Sequence, residues 1–450
     1  MSKGAIGVMA SLRKESGVPA LDGVRAISCI WVCSFHALFL AQMSAPKLLQ
    51  GVQNQWWPIS VPSDGDAGVD FFLLLSGYLI GIGVLGEVAR SGSFGWVSFF
   101  VRRMFRILPV FWLAIAVAVA AQGSEACEGV WRKKLLLIEN FTVSPDEGVL
   151  CVPMSWSVAL EMQLYLLTPP LILFADRIGK ACEWPPTRVV MALCAFLCVA
   201  CCGARLAALP DVVAPNGSFW WYTETQYRCA PYFAGVAVAA LLSEQGASSG
   251  LPDSVAASVS PTAAVLHGVL TALAWAVLAF VMYFGSSGPL VGVESPMQLY
   301  PFGFQAAQLQ FVLGRPLVGA AASYLLWKIL AGHSPQLQAV LAAPLWRPFA
   351  RLSYSAYLMQ VLGFALSFWL LAPFGSAGSP VAQVASAFSQ TSKVLLLYAW
   401  VVLYILFAFA VAVPSYACIE HPGTALGRKL ALTAVRRSAE GHGELAKPLV

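Results

Sequence analysis

The sequence predicts an all-α, polytopic membrane helix bundle with about ten transmembrane helices. Its composition indicates this class: 58% of the 450 residues are hydrophobic, only 11% are charged, and the mean hydropathy is +0.72. A soluble domain is about a quarter charged, so this chain would expose far too much apolar surface to water. There is no glycine repeat, polar low-complexity tract or dense basic patch, which argues against collagen, disorder and nucleic-acid binding.

Ten apolar stretches of about 20 residues, the length that crosses a bilayer as a helix, can be placed along the chain. They lie at roughly 24–43, 69–89, 105–122, 156–175, 189–209, 227–243, 262–284, 307–331, 350–373 and 394–415. The eighth is the least regular, because Gly314, Arg315 and Pro316 interrupt it. An even number of spans places both chain ends on the same side of the membrane.

The basic residues predict which side that is. Most of the 27 Lys and Arg residues fall beside alternate loops that share a side with both chain ends, and such residues favour the cytoplasm. We therefore expect a cytoplasmic N-terminal segment over 1–20, a transmembrane domain over 21–422 and a loosely ordered cytoplasmic tail over 423–450. The plasma membrane and an endomembrane are both open as locations.

The loops predicted on the opposite side have features of an extracellular or lumenal surface. Glycosylation sequons begin at Asn140 and Asn216. Cys127 and Cys151 share one of these loops, where an oxidising compartment would allow a disulfide. These features agree with cytoplasmic chain ends.

Arg25 and His36 belong to the first span, where an ionisable group is costly and therefore a functional candidate. They are eleven positions apart, so on a helix they share one face and are about 16 Å apart along the axis. Arg25 would lie at the cytoplasmic mouth and His36 near the middle of the bilayer. A neutral imidazole can act as a base toward an alcohol or as a nucleophile toward a thioester. The alternative is a packing histidine that is hydrogen-bonded to a neighbour.

Three arginines, Arg102, Arg103 and Arg106, cluster at the start of the third span. Several guanidinium groups at one membrane mouth suit a polyphosphate, although positive charge also simply anchors cytoplasmic helix ends. Together with Arg25, they could hold the phosphates of coenzyme A while its long arm reaches up the bundle toward His36. We therefore predict acyl-CoA, most simply acetyl-CoA, as co-substrate.

Two carboxylates enter the membrane from the side opposite the arginines, Asp70 in the second span and Glu161 in the fourth. Either could orient the His36 imidazole or stabilise its protonated form, as carboxylates do beside catalytic histidines. The alternative is a structural ion pair, for example with Arg228, which begins the sixth span from the same side.

Several other residues of the spans are better explained by packing between helices than by a functional site. Ser76, Gly77 and Gly81 are typical of closely packed helices. The cysteines of the fifth span have no His or carboxylate beside them, so we expect no metal site. They are Cys194, Cys198, Cys201 and Cys202.

Six segments occur in the order typical of the acyltransferase 3 family, which the chain resembles from Leu21 to Pro422. They are LDGVRAISCIWVCSFH, GVDFFLLLSGYLI, RRMFRILP, WSVALEMQLYLLTP, SYSAYL and IEHP. The segments around Cys127, Ser155-Trp156 and Arg228 are similar to the eukaryotic nose-resistant-to-fluoxetine branch. Two features depart from the pattern: that branch's N-terminal soluble domain is lacking, and Gln360 stands where the family often has His.

The resemblance implies an integral-membrane enzyme that uses cytoplasmic acyl-CoA to acylate hydroxyls on extracytoplasmic carbohydrates or lipids. It implies that Arg25 and His36 are the essential pair and that Glu161 is the acidic position of the fourth helix. It also implies an arginine pair on the cytoplasmic side (Arg103 and Arg106), acceptor-side residues (Arg228 and Trp156) and a lumenal disulfide (Cys127 and Cys151).

The predicted function is thus an acyltransferase of the O-acetyltransferase type, with catalytic residues His36, Glu161 and Asp70. Its predicted partners are acyl-CoA, a carbohydrate or lipid acceptor and membrane lipids, without nucleic acid or metal. A multi-pass transporter or lipid-handling protein could use the same buried charges for passage of a substrate. A catalytically inactive family member is a further alternative.

Overall fold

The computed structural model describes residues 12, 17–45, 61–141, 151–212, 220–246, 261–284, 304–375, 379, 383–384 and 387–441. Nine helices within these ranges are long and apolar enough to cross a membrane, and the described residues include no β-strand. The predicted all-α membrane bundle is therefore confirmed. The long helices and one shorter apolar helix are α1 Pro19–Ser44, α2 Gly68–Ser91, α3 Trp96–Gln122, α4 Trp156–Cys182, α5 Pro186–Val212, α6 Ala230–Glu244, α7 Pro261–Phe284, α8 Phe304–Leu330, α9 Trp346–Gly375, α10 Gln390–Ser415 and α11 His421–Gly441.

The two ends of the bundle differ in their side chains. One end carries Arg102, Arg103 and Arg106 at the start of α3, and we call it the arginine end. The opposite end carries the disulfide between Cys127, which follows α3, and Cys151, which precedes α4. We call it the disulfide end.

Helix α6 is the sixth predicted span, but its 15 residues are too few to cross a bilayer alone. It instead packs closely along α2. A side chain at Gly77 would collide with the backbone of Tyr232, and one at Gly235 with the backbone of Leu74. Glycine on both helices therefore allows this close approach, as the sequence predicts for Gly77.

Helix α8 continues through Pro316, although the sequence predicts an interruption there. Arg315, next to that proline, forms ion pairs with Asp66 and Asp70. This polar position inside an apolar span is thus part of a contact between helices, and the helix does not break at it.

The chain after Pro422 is ordered as α11 up to Gly441, so the prediction of a loosely ordered tail is wrong for these residues. A π-helical segment, Tyr416–Glu420, joins α11 to α10. Helix α11 packs along α3 through Gly423, where an added Cβ would lie 2.7 Å from the Phe105 carbonyl oxygen. Its start is further fixed by Glu420 Oε2, which accepts a hydrogen bond of 2.6 Å from Ser355.

A polar network lies beneath the disulfide. The buried Lys134 ammonium donates to Ser155 Oγ at 2.7 Å, and Ser155 Oγ donates to Glu139 Oε1 at 3.0 Å. Burial lowers the pKa of Lys134 to about 8, a shift that the nearby Glu139 carboxylate opposes. The network therefore ties the disulfide loop to the start of α4.

The predicted sequon at Asn140 is not available for glycosylation in this fold. The Asn140 side chain is fully buried, and its amide donates to Thr225 Oγ1 at 3.1 Å and accepts from Gln163 Nε2 at 2.8 Å. A glycan could not attach without breaking these contacts. The second sequon, at Asn216, lies outside the described residues.

Candidate active site

A cavity of about 110 Å³ lies inside the bundle between α1, α2, α3, α4 and α9. Along α2 its lining runs from Ile80 to Val69, eleven positions or about 16 Å of helix. The cavity is therefore long and narrow. It extends from the arginine end toward the disulfide end.

Three of the predicted arginines line this cavity together: Arg25 from α1, and Arg103 and Arg106 from α3. Arg25 Nη1 lies 3.9 Å from Asp22 Oδ1, and the Arg103 guanidinium lies over the Tyr165 ring, 5.3 Å from its centroid. The fourth predicted arginine, Arg102, is exposed and lines a neighbouring cavity instead.

Among the described residues that line the cavity, Glu161 is the one acidic residue. Its Oε1 accepts hydrogen bonds from the hydroxyls of Ser76 and Tyr165. Ser76 is therefore a polar partner of the site and not only a packing residue. Tyr165 follows Glu161 by four positions on α4, a helical spacing from which its contact could have been predicted.

The His36 imidazole is held by Gln360. Gln360 Nε2 donates to the Tyr357 carbonyl oxygen at 3.3 Å, which turns Gln360 Oε1 toward His36 Nδ1, 2.8 Å away. The Tyr404 hydroxyl also donates to this Oε1, at 3.4 Å. Because an amide oxygen only accepts, Nδ1 carries the proton, and in the neutral imidazole the lone pair is then on Nε2. This hydrogen bond thus selects the tautomer in which Nε2 can act as a base.

Tyr357 separates His36 from the cavity. His36 is not among the lining residues, whereas Tyr357 is, and the centroids of the two rings lie 6.5 Å apart. The Tyr357 hydroxyl pairs with Ser157 Oγ at 2.8 Å and donates to the Met154 carbonyl oxygen at 2.9 Å. The predicted route from the arginines to the imidazole is therefore open only as far as this tyrosine.

Asp70 takes part in an ion-pair network, the alternative that the sequence left open. Its carboxylate lies 3.1 Å from Arg228 Nη2 and 2.6 Å from Arg315 Nη1, and Arg315 also pairs with Asp66. The fully buried Arg228 guanidinium lies 5.3 Å from the Trp156 ring centroid. The predicted acceptor-side residues Arg228 and Trp156 are thus buried together with Asp70.

Neither predicted carboxylate hydrogen-bonds to the imidazole in the described part of the chain. Glu161 binds Ser76 and Tyr165, and Asp70 binds arginines. The same described ranges contain no group of three or more His, Cys, Asp or Glu residues that could hold a metal.

The fold and the site define an integral membrane protein with a basic internal cavity and a histidine beyond its far wall. The chain belongs to the acyltransferase 3 family, whose acyltransferase domain matches residues 18–419. The resemblance of the sequence segments is thereby confirmed over nearly the whole chain.

The chain is similar to two named relatives over part of their length. Nose resistant to fluoxetine protein 6 of Caenorhabditis elegans is 19% identical over 390 residues, which cover 78% of this chain and 46% of that protein. The peptidoglycan O-acetyltransferase OatA of Listeria monocytogenes is 27% identical over 170 residues, covering 35% of this chain and 24% of that protein. The chain thus aligns with less than half the length of each relative. No solved structure matches it.

Proposed function

We propose that this protein transfers an acyl group, most simply acetyl, from cytoplasmic acyl-CoA to a hydroxyl of a lumenal or extracellular carbohydrate or lipid. The observation that carries the proposal is the cavity that starts among the arginines and ends at Tyr357, whose ring neighbours His36. Membership of an acyltransferase family supports the reaction class. The name of the Listeria relative, a peptidoglycan O-acetyltransferase, supports acetyl transfer to oxygen.

In this proposal the arginine end faces the cytoplasm, together with both chain ends. The positive charge of the loops at that end favours the cytoplasmic side. The disulfide between Cys127 and Cys151 favours an oxidising compartment at the other end. The donor therefore enters from the cytoplasm, and the acceptor hydroxyl approaches from the opposite side.

The cavity suits the shape and charge of acyl-CoA. Arg25, Arg103 and Arg106 present guanidinium groups that bind phosphate oxygens in pairs. Beyond them, apolar side chains such as Phe72 and Leu79 line the path for an extended arm. Glu161 lies on this path, where its carboxylate can accept a hydrogen bond from an amide N–H of that arm.

His36 supplies the base for the chemical step. Its Nε2 removes the proton of the acceptor hydroxyl while the hydroxyl oxygen attacks the thioester carbonyl carbon. The C–S bond of the tetrahedral intermediate then breaks, and the imidazolium returns the proton to the CoA thiolate. The same geometry also serves a two-step route in which Nε2 first takes the acyl group and then passes it to the hydroxyl.

Tyr357 has to move before either route can operate, because it stands between the cavity and the imidazole. Its hydroxyl is held by hydrogen bonds to Ser157 and Met154. Each such bond is worth only about 1 kcal/mol, so donor binding can supply the energy to break them. Tyr357 is thus a movable wall of the donor site.

Binding of radiolabelled acetyl-CoA to the detergent-solubilised protein tests the proposal. We expect saturable binding to the wild type, weakened about tenfold or more by Arg25→Gln. Arg188→Gln is the matched control, because Arg188 pairs with Glu244 at an exposed site. Absence of acetyl-CoA binding by the wild type would contradict the proposal and favour a transporter.

Mass spectrometry of glycans and lipids from cells with and without the protein would identify the acceptor. We expect one ester to be missing when the protein is absent or carries His36→Ala. An unchanged set of esters in both cases would contradict acyl transfer to these molecules.

A further inference from the structure

A second cavity, of about 250 Å³, opens at the arginine end between α2, α3 and α11. It shares four lining residues with the first cavity: Leu79, Ile80, Arg103 and Arg106. Because these residues line both spaces, the two cavities are neighbours, and two aliphatic and two arginine side chains form the wall between them. A ligand that occupies both cavities has to pass between these four side chains.

The second cavity has a basic part and an apolar part. Arg102 and Arg428 line it without lining the first cavity, and they add two guanidinium groups to Arg103 and Arg106. Glu87, the one acidic residue in the part of the lining that the structure describes, already accepts a hydrogen bond of 2.9 Å from the backbone N–H of Gly95.

The apolar part includes the rings of Phe94 and Phe99, whose centroids are 5.2 Å apart. A planar base can pack against aromatic rings, and guanidinium groups bind phosphates. The cavity therefore combines the two surfaces that a phosphorylated nucleoside requires.

Helix α11 supplies Arg428 and Thr424 to this cavity because glycines bring it close to α3. A Cβ on Gly427 would lie 2.6 Å from the Phe105 Cβ, and one on Gly423 would lie 2.7 Å from the Phe105 carbonyl oxygen. Thr424 and Arg428 each follow one of these glycines, and the two are themselves four positions apart. They therefore share a helix face next to the two glycines that contact α3.

We propose that α11 is part of the donor site and that its Arg428, with Arg102, binds the 3′-phosphate of the adenosine end of acyl-CoA. The cavity that each arginine lines indicates which phosphate it binds. The diphosphate joins the nucleoside to the arm, so it falls to Arg103 and Arg106, which line both spaces. The 3′-phosphate branches from the ribose on the side away from the arm, which leaves it to the arginines of the second cavity alone. This inference rests on acyl-CoA being the donor.

The test compares two donors that differ only in this phosphate, acetyl-CoA and 3′-dephospho-acetyl-CoA. Their affinities for the full-length purified protein are measured by titration calorimetry in phosphatidylcholine nanodiscs. We expect the wild type to prefer acetyl-CoA, and Arg428→Gln to weaken acetyl-CoA binding about tenfold while changing dephospho-acetyl-CoA binding less than about twofold. Lys429→Gln, on the next exposed position of α11, should behave as the wild type.

A second variant tests the helix rather than the side chain. Gly427→Leu would force α11 away from Phe105 and carry Arg428 with it. We expect it to lose the preference for acetyl-CoA while the binding of dephospho-acetyl-CoA persists, which also shows that the protein is folded.

The outcomes separate this inference from the proposed function. Wild-type binding of acetyl-CoA with no change in Arg428→Gln would overturn the role of α11 and leave the proposed function standing. An effect of Arg428→Gln that appears only in nanodiscs containing anionic lipid would assign Arg428 to lipid headgroups and also overturn it. A wild type that binds neither donor would overturn both proposals.

Discussion

Arginines occupy both ends of the bundle, but the two groups are neutralised in different ways. At the disulfide end, Arg228 and Arg315 contact Asp70 directly, and all three side chains are shielded from solvent. At the arginine end, Arg103 and Arg106 line a cavity with Glu161, the one acidic residue in its described lining, and Glu161 is already bound to two hydroxyls. Removing one charge from a balanced, buried group leaves its partner uncompensated, whereas a cluster of cations around a cavity is suited to an anionic ligand.

The largest effect should come from breaking the network at the disulfide end. Asp70→Asn leaves the buried Arg228 and Arg315 guanidinium groups without their shared carboxylate. We expect the free energy of unfolding to fall by about 3–5 kcal/mol, seen as a lower Tm or as loss of folded protein. Asp176→Asn is the control, because Asp176 pairs with the exposed Lys180 and such a pair contributes about 1 kcal/mol or less.

If Asp70→Asn does not fold, the double variant Asp70→Asn, Arg315→Gln keeps the comparison testable. It removes one cation along with the carboxylate, so we expect it to recover part of the lost stability. A Tm of Asp70→Asn equal to that of the wild type would contradict a structural role for the network.

The second effect concerns Gln360 and the protonation of His36. Gln360→Leu removes the acceptor that keeps the proton on Nδ1, so we expect kcat to fall about a hundredfold while the KM for the donor stays within about twofold. Gln360→Glu should instead favour the imidazolium, so the acid limb of the pH–rate profile should move to higher pH. A wild-type pH profile in both variants would contradict this positioning role.

Arg106→Gln tests whether the arginine end serves ligand binding more than stability. We expect acetyl-CoA binding to weaken about tenfold, because a charge-assisted phosphate contact is lost. The Tm should fall by only a few degrees, because the buried Glu420 carboxylate loses a nearby cation but keeps its hydrogen bond from Ser355. A large fall in Tm with unchanged donor binding would show that Arg106, like Arg228, stabilises the fold and does not bind the donor.

The smallest effect should come from Tyr357→Phe. This change removes the hydroxyl that binds Ser157 and Met154 but keeps the ring beside His36. We expect about 1 kcal/mol of lost stability and a donor affinity that is unchanged or slightly higher, because the wall moves more easily. Donor affinity reduced by tenfold would show that the hydroxyl contacts the donor directly.

The sequence predicts the helices and the arginine cluster because both depend on local patterns. Apolar stretches of bilayer length mark the spans, and the spacing of Arg103 and Arg106 places them on one face. The proximity of Arg25 to them was predicted only from a ligand that all three arginines would share. The cavity now provides the spatial link.

The partners of His36 and Asp70 could not be predicted in this way. Gln360 lies 324 positions from His36, and Arg315 lies 245 positions from Asp70. No local pattern encodes such pairings, because the packing of distant helices decides them. The sequence therefore identified the two ionisable residues and offered Arg228 as one possible partner of Asp70, but it could not choose between that ion pair and a contact with His36.

The ordered C-terminal helix was missed for a different reason. Its polar composition suggested a solvated tail, whereas the spacing of Gly423 and Gly427 is the signal that predicts close packing against another helix. Their contact with Phe105 brings Arg428 to the second cavity.

The central claim is that the acyl group travels from the arginine end to His36. Its most direct test is a single-turnover assay in which purified His36→Ala is loaded with radiolabelled acetyl-CoA and given the acceptor found by mass spectrometry. We predict donor affinity within about twofold of the wild type and no labelled ester. Ester formation at the wild-type rate in His36→Ala would contradict the account.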